Sequence, residues 1–330
     1  VVPYEIKIRD APLPISQRRQ SQQQEQQLRD ETTPADPSSD EKVGGSDGEI
    51  AATPTDHIGS RAQDAAAAVG VQTWGGAAIL SDLLSRAPGE MHSSLSSEAP
   101  LALGLNILEL GAGTGLVGML AARVAERCLL APEHHPKLIS EADGSDGKAH
   151  VQATLTDYHE LVLSNLLENI ALNFFQDENA PKEEISIDWK TLDWCEVDGH
   201  LHERVTINSP SFRWWHAQSC TYDVILAADV IYSPQHPRWL LSCFQYFLSR
   251  TPTSRAHLLC PIRLNGRFGE WNLIEIADKV FREAASDADD GKEVVLLERR
   301  ELSKKKGIGR DDESGYVYWV FGIQGAAAAA

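Results

Sequence analysis

Hydrophobic and polar positions follow two different periods along this chain, and the change of period marks its parts. Tyr4, Ile6 and Ile8 alternate with Glu5, Lys7 and Arg9, which predicts a short half-buried strand. From Ser16 to about Ala68 the alternation fades into Gln, Ser, Asp and Pro, with Gln22–Gln24 and Gln26–Gln27 at the centre. Such a stretch has few anchors for a core and reads as a linker or arm. A solvated helix over Arg18–Arg29 is the rival reading, because Gln and Arg are fair helix formers. From about Val71, apolar runs rich in branched residues appear at Asn106–Leu110, Val151–Thr156, Ile185–Ile187, Val224–Ala227 and His257–Ile262. Amphipathic stretches separate them at Val117–Ala125, Glu160–Leu172, Pro237–Leu248 and Glu270–Ala284. This alternation predicts an α/β fold: a mainly parallel sheet with helices on both faces. At the end, Glu293–Arg299 and Tyr316–Ile323 follow one another across a polar connection, which predicts an antiparallel pair at the sheet edge.

The resulting organisation is an N-terminal strand segment (1–15), a low-complexity arm (16–70), one α/β domain (71–325) and a poly-alanine tail (326–330) set apart from the fold. Two polar insertions, Pro132–Lys148 and Asp198–Ser211, interrupt the domain. Composition narrows the class. The chain of 330 residues carries 30 basic against 48 acidic side chains, a net charge of -18, which disfavours nonspecific DNA binding. No run approaches the ~18 apolar residues of a membrane helix. Val1–Pro14 lack the pattern of a signal peptide. Five cysteines, none in a CxxC pair, argue against a disulfide framework or a zinc site and fit a reducing compartment. Histidines show no metal spacing, and no serine lies in a nucleophile elbow.

Candidate chemistry concentrates where the first strand, Asn106–Leu110, meets Gly111-Ala112-Gly113-Thr114-Gly115-Leu116-Val117-Gly118. A strand that enters a glycine-rich turn and opens a helix is the context of a nucleotide loop. Two frames compete. Gly113, Gly115 and Gly118 match a dinucleotide fingerprint; Gly111, Gly113 and Gly115 sit directly against the strand end. In the second frame Glu109 precedes the loop, where it would repel a pyrophosphate and attract the ammonium group of S-adenosylmethionine. Asp157 ends the second strand and can accept ribose hydroxyls or cap the following helix. Asp229 ends a buried parallel strand, where ligands gather in such sheets. Trp74 and Trp194 by themselves could be ordinary core aromatics.

These motifs resemble the seven-β-strand methyltransferases of the family-16 lysine methyltransferase type. The resemblance runs from Gln72 to Ile323 and rests on Thr73-Trp74-Gly75-Gly76, Leu108–Gly118, Leu155-Thr156-Asp157, Asn165–Ile170, Leu192-Asp193-Trp194 and Tyr222–Tyr232. It implies a Rossmann-like seven-stranded sheet whose last strand is antiparallel. It further implies S-adenosylmethionine as cofactor, without a metal. By resemblance, Trp74 lines the donor site, Gly111, Ala112 and Gly113 pass beneath the methionine portion, and Asp157 holds the ribose. Trp194 lies by the adenine and Ala228 touches the donor; Asp229 and Tyr232 form an Asp-x-x-Tyr signature at the reaction centre. The implied activity is protein-lysine N-methylation of a translation elongation factor or chaperone, by a cytoplasmic monomer with no DNA or membrane partner. N-methylation of a small amine or pyridine, and non-catalytic donor binding in an assembly, stand as alternatives; an NAD-dependent oxidoreductase is disfavoured by Glu109.

Overall fold

The structure, a computed structural model, describes residues 4–11, 70–96, 104–130, 150–175, 185–202, 212–219, 221–263, 272–283 and 294–323. The Gln-rich arm, the first insertion and the poly-alanine tail lie outside the described residues.

Five strands follow the predicted runs: β1 (Gly104–Leu110), β2 (His150–Asp157), β3 (Ile185–Thr191), β4 (Val224–Ala228) and β5 (Arg255–Arg263). The last two are β6 (Val294–Ser303) and β7 (Glu313–Ile323). They form one sheet in the order β3-β2-β1-β4-β5-β7-β6, and β7 runs antiparallel to both neighbours. The polar turn between β6 and β7 therefore folds β7 back into the sheet, and β6 becomes the edge. Four helices correspond to predicted amphipathic stretches: α3 (Leu116–Leu130), α4 (Glu160–Phe174), α7 (His236–Phe247) and α8 (Leu273–Glu283). The remaining helical elements among the described residues are α1 (Gly75–Arg86), α2 (Pro88–Met91), a single 3-10 turn at Ser93–Leu95, α5 (Trp194–Leu201) and α6 (Phe212–His216). The second polar insertion begins inside α5, whose Asp198 is buried and bonded by Ser242 and Arg238.

Period-two alternation sorts the strand side chains onto two faces. On β7, Tyr316, Tyr318 and Val320 join the apolar cluster beneath α1–α4, while Val317, Trp319 and Phe321 join the one beneath α5–α8. Both faces are covered, so the central strands read as nearly continuous apolar runs. At ~25 cal/mol per Å2, each fully buried leucine or isoleucine stabilises by roughly 1.5–3 kcal/mol relative to exposure.

The N-terminal segment corrects one expectation. Residues 4–11 alternate in burial as predicted, with Tyr4, Ile6 and Ile8 packed on the α1–α4 cluster, but they form no strand. Their backbone pairs with side-chain amides of α4. Lys7 N–H donates to Asn173 Oδ1 at 2.8 Å and Arg9 N–H to Asn169 Oδ1 at 2.8 Å. The two amides return bonds to the carbonyls of Lys7 (2.8 Å) and Arg9 (3.2 Å). Four helical residues rise about 6 Å and two extended residues about 6.6 Å, so asparagines spaced i, i+4 match a backbone spaced i, i+2. Apolar periodicity foretells which side is buried; it does not say whether the partner is a strand.

Candidate functional site

The chain moves outward from β1 through β2 to β3, then returns to place β4 on the other side of β1. That reversal opens a crevice beyond the carboxyl ends of β1 and β4, the position where open α/β sheets bind ligands. A cavity of about 280 Å3 lies there, and its walls include Trp74, Glu109, Gly111, Ala112, Gly113, Asp157, Trp194, Ala228, Asp229 and Tyr232. All ten candidate site residues thus meet at one cavity, although they span 159 positions of sequence between Trp74 and Tyr232.

The floor is the loop after β1. Gly111, Gly113 and Gly115 take φ of 65°, 54° and 82°. This left-handed backbone favours glycine. A Cβ on Gly113 would sit 3.1 Å from the carbonyl oxygen of Gly70, and one on Gly111 would reach Val230 at 2.8 Å and Trp194 at 3.0 Å. The loop is pinned by Ala112 N–H to Thr156 O (2.8 Å) and by Gly113 N–H to Asp157 Oδ2 (3.2 Å).

Glu109 is buried below this loop and accepts a hydrogen bond from Gly118 N–H in the first turn of α3, at 3.0 Å. Burial pushes its carboxyl up to about 8; the Gly118 bond opposes the shift and the charge of Asp157 adds to it. Glu109 is therefore a structural tie between β1 and α3 as well as an acid in the cavity wall. Asp157 is also raised by burial, against three backbone donors: Gly113, Tyr158 (2.8 Å) and His159 (3.3 Å). A carboxylate has about four acceptor positions. Three of those on Asp157 are taken, which leaves capacity for one hydroxyl rather than the ribose pair. Its rival role, capping the helix, falls to His159, whose ring accepts from Leu161 N–H.

Trp194 opens α5, with Asp193 as the N-cap bonding Cys195 N–H at 2.9 Å. The Trp194 ring packs edge-on to His236 at 5.5 Å, and its buried indole N–H has no partner among the described residues. Tyr232 also packs edge-on to His236, with ring centroids 4.2 Å apart. His236 is held by a bond to Val230 O at 2.8 Å, and burial lowers its pKa. Burial also raises the Tyr232 phenol, and the nearby acids Asp157 and Asp193 add to the shift.

Asp229 faces a different environment. It is the one described non-glycine residue at positive φ, 58°. Its Oδ2 accepts from Gly76 N–H at 2.6 Å, and Ala77 N–H also donates to it. Arg263 approaches its Oδ1 at 3.4 Å and bonds Glu313 at 2.9 Å; Tyr316 donates to Glu313 at 2.8 Å. Burial pushes Asp229 up to about 7, with Arg263 lowering it and Glu313 raising it. Two carboxylates share one guanidinium here. Arg263 and Arg310 also lie over the Trp74 ring, 5.5 and 5.3 Å from its centroid. Asp229 and Tyr232 thus line the same cavity.

The sequence reading missed Gln72, Thr114, Tyr158, Asp193, His236 and Trp239 in the cavity wall. Asp193 had a legible signal, an acid just before a helix start. Arg263 and Glu313 had none, because their link to Asp229 crosses three strands. Among the described residues no cluster of His, Cys, Asp or Glu could hold a metal ion, and no helix is long and apolar enough to cross a membrane.

A family profile described as lysine methyltransferase matches residues 58–265. The protein-lysine N-methyltransferase EFM2 of Saccharomyces cerevisiae is 31% identical over 199 residues, 59% of this chain and 38% of that protein. An uncharacterized protein of Dictyostelium discoideum is 27% identical over 214 residues, 61% of this chain and 47% of its own. The chain spans less than half the length of these curated relatives. Among solved structures, an arsenic(III) S-adenosylmethionine methyltransferase from Chlamydomonas reinhardtii aligns at 15% identity and TM-score 0.33, over 68% of this chain and 65% of that one.

Proposed function

The chain belongs to the lysine methyltransferase family, and on that premise we propose that it transfers a methyl group from S-adenosylmethionine to the ε-amine of a lysine in a protein substrate. The observation that supports this reading most is the convergence of the ten candidate residues on one cavity at the sheet's switch point. The resemblance extends the proposal to a translation factor or chaperone as substrate, methylated in the cytoplasm.

The residues present fit the donor. Gly111 and Gly113 hold the loop in a left-handed backbone, packed too closely on Val230, Trp194 and Gly70 for a side chain, so that the loop can form the floor of the donor site. Asp157 keeps an acceptor for a ribose hydroxyl, and the Trp194 N–H can donate to a ring nitrogen. Glu109 supplies negative potential below the loop once it ionises. When bound, the donor supplies an electrophilic methyl on its sulfonium.

The chain's own task is the amine. Free lysine has a pKa of about 10.4, so it arrives as an ammonium without a lone pair. Asp229, in the cavity wall, attracts that cation when it is ionised. Trp74, Tyr232 and Trp239 line the cavity, and the water their rings displace around a bound amine would lower its pKa. A carboxyl poised near 7, as Asp229 is, can take up the released proton. Holding the amine at near-attack distance then provides most of the acceleration, with no covalent intermediate.

The test is incubation of the purified protein with labelled methyl donor and a lysate lacking the endogenous enzyme, followed by mass spectrometry of labelled bands. A mass increase of one or more methyl groups on a lysine supports the reading. Label on small molecules alone, or stabilisation of the fold by NAD and not by the methyl donor, overturns it.

A further inference from the structure

The N-terminal segment is wired to the glycine loop. Asp10 Oδ1 accepts from both the backbone N–H (3.0 Å) and the hydroxyl (2.9 Å) of Thr73. The Thr73 hydroxyl in turn lies 3.2 Å from that of Thr114, which sits between Gly113 and Gly115. A second route runs through Asn169, fully buried on α4: one amide donates to the Arg9 carbonyl (3.2 Å) and to the Thr114 carbonyl (3.1 Å). A third bond, Ala11 N–H to Val71 O at 3.2 Å, fastens the segment to the strip from Gly70 to Trp74. Gly70, Gln72 and Trp74 of that strip form one wall of the cavity, and Thr114 belongs to its floor.

From this wiring we propose that residues 4–11 are a strap that positions the donor-binding wall and loop, with Asp10 and Asn169 as the positioning residues. The strap does not touch the cavity: none of residues 4–11 is among its walls. It acts through Thr73 and Thr114. Because free-energy coupling between two binding events is reciprocal, docking of the strap favours the donor and the donor favours docking of the strap. The inference rests on the donor reading given above for its second half only; the link from strap to loop stands apart from it.

The experiment has two arms, with Asp10→Ala as the probe and Asp10→Asn, which keeps an acceptor for Thr73, as the conservative control. In the first arm, amide hydrogen exchange is followed in donor-free protein. Asp10→Ala is expected to speed exchange at Gly113 and Gly115 while Trp319 in β7 stays at the wild-type rate. Unchanged exchange in the loop overturns the coupling. In the second arm, S-adenosylmethionine is titrated into wild type and both variants. The Kd of Asp10→Ala is expected to rise about fivefold to tenfold, roughly one hydrogen-bond equivalent, and Asp10→Asn to stay within about twofold of wild type. Donor binding to wild type is also expected to slow exchange of the Lys7 and Arg9 amides, the two held by Asn173 and Asn169. Equal donor affinity in Asp10→Ala and wild type overturns the strap's part in donor binding. Faster loop exchange in Asp10→Ala together with no donor binding by wild type leaves the coupling supported and counts against the donor reading instead.

Discussion

The carboxylate of Asp229 accepts the backbone N–H of Gly76 at 2.6 Å, and so joins the end of β4 to the first turn of α1. The bond places an acid at the positive end of a helix, where anionic charge is stabilised. It also accounts for the left-handed backbone of Asp229, because strain of this kind persists where surrounding contacts over-determine it. The residue that would attract the substrate amine is thus also the anchor of the wall that carries Trp74.

This double role separates two substitutions. Asp229→Ala should lower methyl transfer at least ~100-fold, about 2.7 kcal/mol, and should also lower the melting temperature through loss of the α1 contact. Asp229→Asn tolerates positive φ and can still accept from Gly76. It should melt close to wild type yet transfer methyl poorly. An Asn variant with wild-type turnover would show that the negative charge is not used.

Donor affinity should depend on pH through Glu109. Its carboxyl, pushed up to about 8 by burial, is mostly protonated at neutral pH, whereas the ionised form is the one that attracts a cation. Between pH 6 and 7.5, where an α-amino group of pKa about 8 stays mainly charged, affinity should rise with pH and binding should release protons. Calorimetry in buffers of different ionisation enthalpy measures that release. In Glu109→Gln both effects should vanish.

Stability should respond to pH in the opposite direction. Glu109 and Asp229 have folded pKa values of about 8 and about 7, above their unfolded values. Their contribution is therefore fully present below about pH 4 and is lost as pH rises through 7 to 8. The urea midpoint of donor-free protein, corrected for groups that act at low pH by comparison with Glu109→Gln, should fall between pH 6 and 8.5. A midpoint that rises across this window in wild type relative to the variant contradicts the assignment.

Gly113 tests the donor cradle. With φ of 54° and the Gly70 carbonyl 3.1 Å from a virtual Cβ, even Gly113→Ala should weaken donor binding. Gly113→Arg should abolish the donor-induced rise in melting temperature, which follows from mass action on the native state. A full thermal shift in the Arg variant would place the donor elsewhere.

Excision of the arm separates it from the strap. Ala11 and Val71 are joined by a backbone hydrogen bond, so a short linker can replace residues 16–68 without moving either end. Donor affinity should be nearly unchanged in that protein, while removal of residues 1–68 should weaken it. Equal affinities for the two deletions would assign no part to residues 4–11.

Local pattern by itself determined the strands, the helices α3, α4, α7 and α8, the two covered faces and the glycine turn after β1, because these follow from side-chain period and from the few residues that tolerate positive φ. It also brought Glu109, Asp157 and Asp229 forward, since each lies at a strand's carboxyl end, where α/β sheets place their ligands. Which partners those acids hold was decided by tertiary structure alone. The Gly118 N–H claimed by Glu109 is local, but the Gly76 N–H that meets Asp229 and the Arg263 it shares with Glu313 come from distant elements. Nor does any local rule pair Lys7 and Arg9 with asparagines of α4 across some 160 residues. Side-chain period reports the face a residue turns toward the core; the identity of the group waiting there depends on how separate elements pack, and only the folded chain brings them together.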